Sequence, residues 1–185
     1  GETIHYDKLL VAGGGTVRHL PTAQHKVLHL QTIEDADAIK QRVEEVKTLT
    51  NPRVGVIGGG FISMEFINIF HEAGAQVEVF LRGNTFFSKT FDDQQNEHLL
   101  RHLSNHGVTV HQHAPIHHIQ DGTTVVLDNN AEHTFHTLAA GIGLDARFSW
   151  LKTTKVQLNS GVVANEYLET DAPNIWTAGD CAEYF

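Results

Sequence analysis

Apolar positions change their spacing several times along this chain, and each change marks an element. Lys8-Leu9-Leu10-Val11-Ala12 is a short apolar run ahead of Gly13-Gly14-Gly15, which predicts a buried strand opening into a loop. Val17-Arg18-His19-Leu20-Pro21 follows with mixed polarity and a proline, so no helix opens there and that glycine cluster makes a poor phosphate loop. From Thr32 the residues Ile33, Ala36, Ile39, Val43 and Val46 recur at helical spacing; Thr32 and Asp35 are placed as a capping box, and Asn51-Pro52 as the stop. Arg53-Val54-Gly55-Val56-Ile57 then predicts a buried strand and Gly58-Gly59-Gly60 a tight turn. Residues 61–73 form a mostly apolar helical stretch stopped by Gly74, and residues 76–81 a second strand. This is a complete β-α-β unit of about 30 residues, whose strands should run parallel with a right-handed crossover.

A further amphipathic helix is expected over residues 92–106, with Leu99, Leu100 and Leu103 on one face and Gly107 as its stop. Val108-Thr109-Val110 would be the third parallel strand. Beyond it, short alternating segments at residues 116–119, 123–127 and 131–135 are broken by Asp121-Gly122 and Asp128-Asn129-Asn130, the signature of an antiparallel meander. Leu138-Ala139-Ala140-Gly141 returns towards the sheet. The fold class is therefore α/β: a Rossmann-like parallel sheet with helices and a small antiparallel β-meander.

The 185 residues are 41% hydrophobic and 19% charged, which suits one compact domain or a domain with appended pieces. A formal net charge of -9 repels nucleic acid and anionic membrane surfaces, leaving small molecules or proteins as the expected partners. No apolar run approaches the roughly 20 residues of a membrane-spanning helix and no basic leader opens the chain, so it reads as cytoplasmic. The one cysteine, Cys181, excludes an internal disulfide framework, a CxxC redox pair and a thiolate zinc cluster. Any redox group must be a cofactor or lie outside these residues. The chain opens on Gly1, enters a strand almost at once with residues 6–12, and ends at Phe185 immediately after a second strand-then-Gly-Asp segment, so both ends read as cuts through something larger.

The chemistry concentrates at Gly58-Gly59-Gly60-Phe61-Ile62-Ser63. Gly58 permits the turn, Gly60 lets the backbone approach a pyrophosphate, and the small Ser63 fills the place where close packing of helix on strand is needed. Free N–H groups and the positive helix end then face the phosphates. The strand-turn-helix-strand context separates this motif from an ordinary glycine turn, although a tight β-α turn with no ligand is the competing account. At the end of the second strand, where an Asp or Glu would hold the ribose of NAD, stand Leu81 and Arg82. An Arg there can grip a 2'-phosphate, which favours NADPH over NADH, with Lys89 as a second phosphate contact. Solvated loop charge is the plain alternative for both. Glu78 competes as the ribose carboxylate but falls early in the strand, as a surface side chain would. Glu65 is the one charge at the start of the helix, either favoured by the helix dipole or placed beside the nicotinamide.

At this point the residues resemble a family, the two-dinucleotide-binding-domain flavoproteins or pyridine nucleotide-disulfide oxidoreductases, over nearly the whole chain. Tyr6-Asp7-Lys8-Leu9-Leu10-Val11-Ala12-Gly13-Gly14 is similar to the family's YDKLLIATG strand, residues 54–65 to its NAD(P) loop, and residues 170–180 to its second FAD motif. Residues 30–38 resemble the branch of NADH oxidases, coenzyme A disulfide reductases and ferredoxin reductases, while Arg82 with Phe91-Asp92 leans towards the glutathione reductases. The resemblance implies an NAD(P)-binding domain over residues 29–146, inserted between two FAD-domain segments, residues 1–28 and 147–185. It implies a pyrophosphate loop at Gly58, Gly60 and Ser63, a gate over the flavin at Phe61, and a nicotinamide-side carboxylate at Glu65, with Ile62 among the cofactor-binding residues. Gly141 would lie near the nicotinamide, and Gly179 and Asp180 at the FAD ribityl chain. The parent would be a homodimer passing hydride from nicotinamide to flavin, with NADP or NAD and FAD as cofactors; these residues alone should bind FAD poorly and not turn over. Departures are Gly13 for the usual Thr and Ile142-Gly143-Leu144-Asp145 for a loop that often carries Arg-Pro-Asn. The amino-terminal FAD glycine loop, the redox cysteine and the dimer domain are not among these residues. A non-catalytic dinucleotide sensor is the alternative from another class, and the FAD-type motifs argue against it.

Weaker signals remain. Fourteen histidines, notably His111, His113, His117 and His118, raise a metal question; His111 and His113 would share a strand face, but with no carboxylate or cysteine partner in view a solvated polar face is expected. Cys181 should be a small buried residue, and Trp150 and Trp176 core.

Overall fold

The structure, a computed structural model, describes residues 2–20, 26–88, 90–145 and 148–184. Short β-branched and apolar runs become strands and the capped periodic stretches become helices. In chain order these are β1 (Leu9–Val11), β2 (Thr16–Val17), α1 (Ile33–Lys47), β3 (Arg53–Ile57), α2 (Phe61–Glu72), β4 (Gln76–Phe80), α3 (Asp93–Asn105), β5 (Thr109–His111), β6 (Ile116–Gln120), β7 (Thr124–Leu127), β8 (Glu132–Thr134), β9 (Thr137–Ala140), β10 (Leu144–Asp145), β11 (Val162–Ala164), β12 (Ile175–Thr177) and β13 (Ala182–Tyr184). They fall into two compact units: Arg18–Gly143, and a smaller one built from the described residues before Arg18 and after Gly143.

In the larger unit, four parallel strands stand in the order β5-β4-β3-β9. Leu28 adds a parallel bridge beside Ala139, its N–H donating to Leu138 O and its carbonyl accepting from Ala140 N. Strand alternation divides the core. Val54 and Val56 of β3 lie in one cluster with Phe66, Phe70, Val77 and Val79, against the helices. Ile57 lies in a second cluster with Phe80, Val125, Phe135 and Leu138, which the antiparallel sheet β6-β7-β8 covers. Each such side chain, fully buried, contributes about 1.5–3 kcal/mol. Gly55 shares the meander side, where a Cβ would come within 2.6 Å of Leu138 and 2.9 Å of Phe135, so a glycine is what lets those two side chains seat.

Helix α1 begins as its sequence foretold: the Thr32 hydroxyl accepts from Asp35 N at 3.2 Å, and the Asp35 carboxylate accepts from Thr32 N at 2.9 Å. Ile39 and Val46 are buried on it, but Ile33 is 78% exposed. As the first helical residue, Ile33 lies ahead of the stretch that meets the core.

In the smaller unit, β1 pairs with β12 in parallel, β2 with β10 antiparallel, and β11 with β13 in parallel. Val11, Phe148, Leu151, Val156, Val162, Ala172 and Cys181 form its core. Cys181 is fully buried and donates its thiol to Ala178 O at 3.0 Å, the behaviour of a small core residue. Two expectations fail here, and Trp176 of β12, also expected in the core, is only partly buried. Leu10 is 60% exposed, since only alternate β1 side chains reach the core, and Trp150 is 58% exposed on a short 3₁₀ turn, Ser149–Leu151, whose buried member is Leu151. After Gly13-Gly14-Gly15 the chain enters β2, not a helix. Among the described residues no helix is long and apolar enough to cross a membrane.

Candidate functional site

The carboxyl ends of β3 and β9 and the amino end of α2 meet at the glycine loop. Gly58 holds φ +110, a conformation L side chains rarely adopt, and a Cβ there would lie 2.5 Å from Gly141 O. Its N–H donates to Phe80 O at 3.0 Å, so the turn is tied to β4. Gly141, next after β9, is equally confined: a Cβ would meet Ser63 Oγ at 2.6 Å and Ser63 N at 2.7 Å. Ser63 is fully buried between them, donating its hydroxyl towards Gly141 O at 3.2 Å. Three small residues thus press the first turn of α2 against two strand ends. Gly60 differs from its neighbours: its φ is -101, nothing lies within 4 Å of a Cβ built on it, and no side chain caps the helix it opens. The first N–H groups of α2 have no intrahelical partner, and the positive end of the helix dipole stands behind them beside the open space at Gly60. Phe61, 75% exposed, and Ile62, 38% exposed, flank that space.

Arg82 is exposed and Leu81 buried, directly after β4. The loop beyond Arg82 is held by residues that periodicity alone did not single out. Phe87 donates its N–H to Gly59 O at 2.8 Å, and its ring packs on Phe61 and Phe91 at centroid distances of 4.7 and 4.8 Å. Asn96, 5% exposed on α3, accepts from Phe86 N at 2.9 Å and donates to Asn84 O at 3.2 Å. The available signal was a polar residue at helical spacing from Leu99, Leu100 and Leu103, on the face that should be apolar. The loop carrying Arg82 and the glycine loop are in this way one hydrogen-bonded assembly.

Other expected site residues fall elsewhere. Glu65 is exposed and lies beyond the first turn of α2, which holds no acidic residue, so the dipole account weakens. Gly179, with φ +80, and the exposed Asp180 belong to the smaller unit, in a 3₁₀ turn after β12. Lys89 lies outside the described residues.

A second polar cluster overturns two sequence expectations. Glu78 is not a surface side chain: at 16% exposure it pairs with Arg53 and accepts a hydrogen bond from His111 Nε2 at 2.9 Å, with His133 Nδ1 at 3.6 Å. Burial opposes its charge and is the largest single influence, yet the hydrogen bonds and charges of Arg53 and His111 outweigh it and hold the carboxyl below the usual range. His111 thus has the carboxylate partner that its sequence neighbourhood lacked, because strand pairing supplies it from β4. His113 does not share the strand: β5 ends at His111, and His113 turns away with φ 50.

Relatives share this chain at modest identity. The nitric oxide reductase FlRd-NAD(+) reductase of Klebsiella pneumoniae (strain 342) is 30% identical over 182 residues, 96% of this chain and 47% of that protein. Putidaredoxin reductase CamA of Pseudomonas putida is 28% identical over 199 residues, covering all of this chain and 45% of that protein. A coenzyme A disulfide reductase of Staphylococcus epidermidis (strain ATCC 35984) is 24% identical over 177 residues, 95% of this chain and 39% of that protein. The chain spans about half the length of the curated relatives it matches first. Among solved structures, a covalent putidaredoxin reductase-putidaredoxin complex superposes with a TM-score of 0.88 at 24% identity over 100% of this chain and 46% of the other, which establishes the fold. With the family model for pyridine nucleotide-disulphide oxidoreductases matching residues 1–185, the chain belongs to that family.

Proposed function

We propose that the amino end of α2 is the pyrophosphate site for NADPH or NADH, and that this chain is the pyridine-nucleotide part of an FAD-dependent oxidoreductase. The observation that carries the reading is Gly60. Its backbone conformation suits any residue and its Cβ would have room, so the fold does not require a glycine there, whereas a phosphate approaching the backbone would. Gly58, Ser63 and Gly141 set the helix end, and the N–H groups at Phe61 and Ile62 bind the pyrophosphate. Phe61 and Ile62 cover the bound ring system and keep water from it, with Glu65 and Gly141 on the nicotinamide side. Bound there, the nicotinamide supplies hydride chemistry; the chain supplies position and electrostatics.

Arg82, and Lys89 with it, recognise the 2'-phosphate, which makes NADPH the preferred cofactor. The segments over residues 1–28 and 147–185 are the FAD-domain pieces on this reading. Gly179, with nothing within 4 Å of a Cβ, and the exposed Asp180 suit the ribityl contact. The relatives' names, an NAD(+) reductase and a putidaredoxin reductase among them, support a dinucleotide-dependent electron transfer. Calorimetric titration of the chain with NADPH and NADH tests the proposal. Arg82→Ala should weaken NADPH by about 1.5–3 kcal/mol, the worth of hydrogen bonds to a charged group, and leave NADH little changed. Equal losses for both, or tenfold tighter NADH binding by the parent chain, would remove the 2'-phosphate assignment.

A further inference from the structure

We propose that Glu78, His111 and His133, brought together from β4, β5 and β8, bind a divalent transition-metal ion of the zinc type that clamps the meander onto the parallel sheet. The site is separate from the glycine loop and does not depend on the dinucleotide reading. Its three donors come from strands of two different sheets, so their convergence is a product of the fold and not of a local sequence run. Glu78 Oε2 lies 2.9 Å from His111 Nε2 and 3.6 Å from His133 Nδ1, and one ligand atom from each residue lies within 4.8 Å of the others. A tetrahedral ion with bonds of about 2.0–2.1 Å holds its donors about 3.3 Å apart, which shifts of a few tenths of an ångström would reach for the two measured pairs.

The surroundings suit such an ion. The three side chains are 16%, 26% and 23% exposed, so the cluster is largely but not wholly screened from bulk water. Arg53 engages the other oxygen of Glu78, Oε1, which fixes the carboxylate and leaves Oε2 to the cluster. The guanidinium also opposes a cation, so affinity should fall below that of a three-ligand site without it. Phe80 stacks on the His111 ring at 4.7 Å and 10°, setting the plane of that imidazole. His133 Nδ1, at 3.6 Å, is too far from Glu78 for a hydrogen bond, and its ring is seated edge-on against Phe80 and His111 at 5.2 and 4.8 Å, which leaves Nδ1 beside the carboxylate with room for an ion between them. Two imidazoles and a carboxylate select zinc, cobalt, nickel or copper over magnesium or calcium, and three protein donors leave a fourth position for water.

The test uses the tag-free chain stripped of metal with a chelator. Cobalt(II) titration followed by visible absorption should give one equivalent of intense, low-coordinate bands that zinc then bleaches, and zinc should raise the thermal midpoint. His133→Ala and, independently, Glu78→Gln should each weaken binding more than about tenfold and abolish the zinc-dependent rise. His102→Ala, in the surface pair with His106, should change neither. Zinc-edge absorption showing two imidazole donors supports the site without any variant and decides the case should both variants fail to fold in chelator. Weak six-coordinate cobalt spectra, several equivalent weak zinc sites, or unchanged binding by folded His133→Ala would overturn the proposal, leaving the cluster a polar network alone.

Discussion

Replacing Gly60 by alanine separates what the fold needs from what a ligand needs. The residue holds φ -101 and ψ -171, ordinary extended backbone, and a Cβ would touch nothing within 4 Å. Removing a glycine from a compatible position stabilises by about 0.4–1 kcal/mol through the unfolded chain. Placing alanine at a helix N-cap costs about the same, so the net change in stability should stay within about 0.5 kcal/mol. For a chain of this length that moves the thermal midpoint by roughly 1–2 °C. Binding should respond very differently. The new methyl occupies the space in front of the Phe61 and Ile62 amides, and a pyrophosphate displaced from them loses one or two charge-assisted hydrogen bonds, about 2–4 kcal/mol in all. That is a fall of about 30- to 700-fold in affinity. Calorimetry with NADPH and NADH beside a thermal melt gives both numbers, and both cofactors must lose equally because they share the pyrophosphate. Affinity within twofold of the parent at unchanged stability would mean that no phosphate comes near Gly60. A stability loss above about 2 kcal/mol would mean the glycine is there for the fold.

Gly58→Ala makes the complementary case: with φ +110 and a Cβ 2.5 Å from Gly141 O, it should cost about 2–4 kcal/mol in urea unfolding, and a smaller loss would show that the loop relaxes. Asn96→Ala leaves the buried Phe86 amide without its acceptor and should destabilise by about 1–3 kcal/mol; NADPH affinity should drop more than NADH affinity, because Arg82's loop loosens. His29 has its pKa lowered by burial first and by the neighbouring His19 second, against an opposing hydrogen bond to Ala140 and the charge of Asp35. The folded state therefore resists its protonation, so this contribution to stability is complete above about 6.5 and lost as pH falls towards the lowered folded value. The urea midpoint of His29→Gln should fall less than that of the parent chain between pH 7.5 and 5.5, and parallel curves would assign the pH dependence to other groups.

The β-α-β unit was legible because three local signals agree on it: the apolar run through Val54, Val56 and Ile57, the glycine turn, and the Gly74 stop. The capping box at Thr32 and Asp35 was equally local and appears atom for atom. What misled was burial inferred from spacing alone, since Leu10 and Trp150 are apolar yet more than half exposed. What stayed hidden was pairing across the chain. Phe80 stands beside His111 only through the β4–β5 register, and His133 reaches Glu78 only when the meander folds over that sheet, so no window of sequence contains the cluster. Asn96 was visible as an exception on an apolar helix face, but its acceptor role needs the Phe86 amide in place.

The pairing of Leu9 with Ile175 and Val11 with Thr177 couples segments far apart in sequence, and its kinetic cost depends on what folds before it. Val17 pairs with Leu144, and Arg18 N donates to Gly143 O at 3.0 Å, so the larger unit, once formed, delivers its entry and exit strands side by side. The long closure is then shortened to a few residues on each side, and the loop-entropy penalty falls with it. The middle of the chain can therefore complete itself before β1 and β12 pair. Slowing the middle should therefore slow both units, whereas loosening β1 should leave the middle's folding rate untouched.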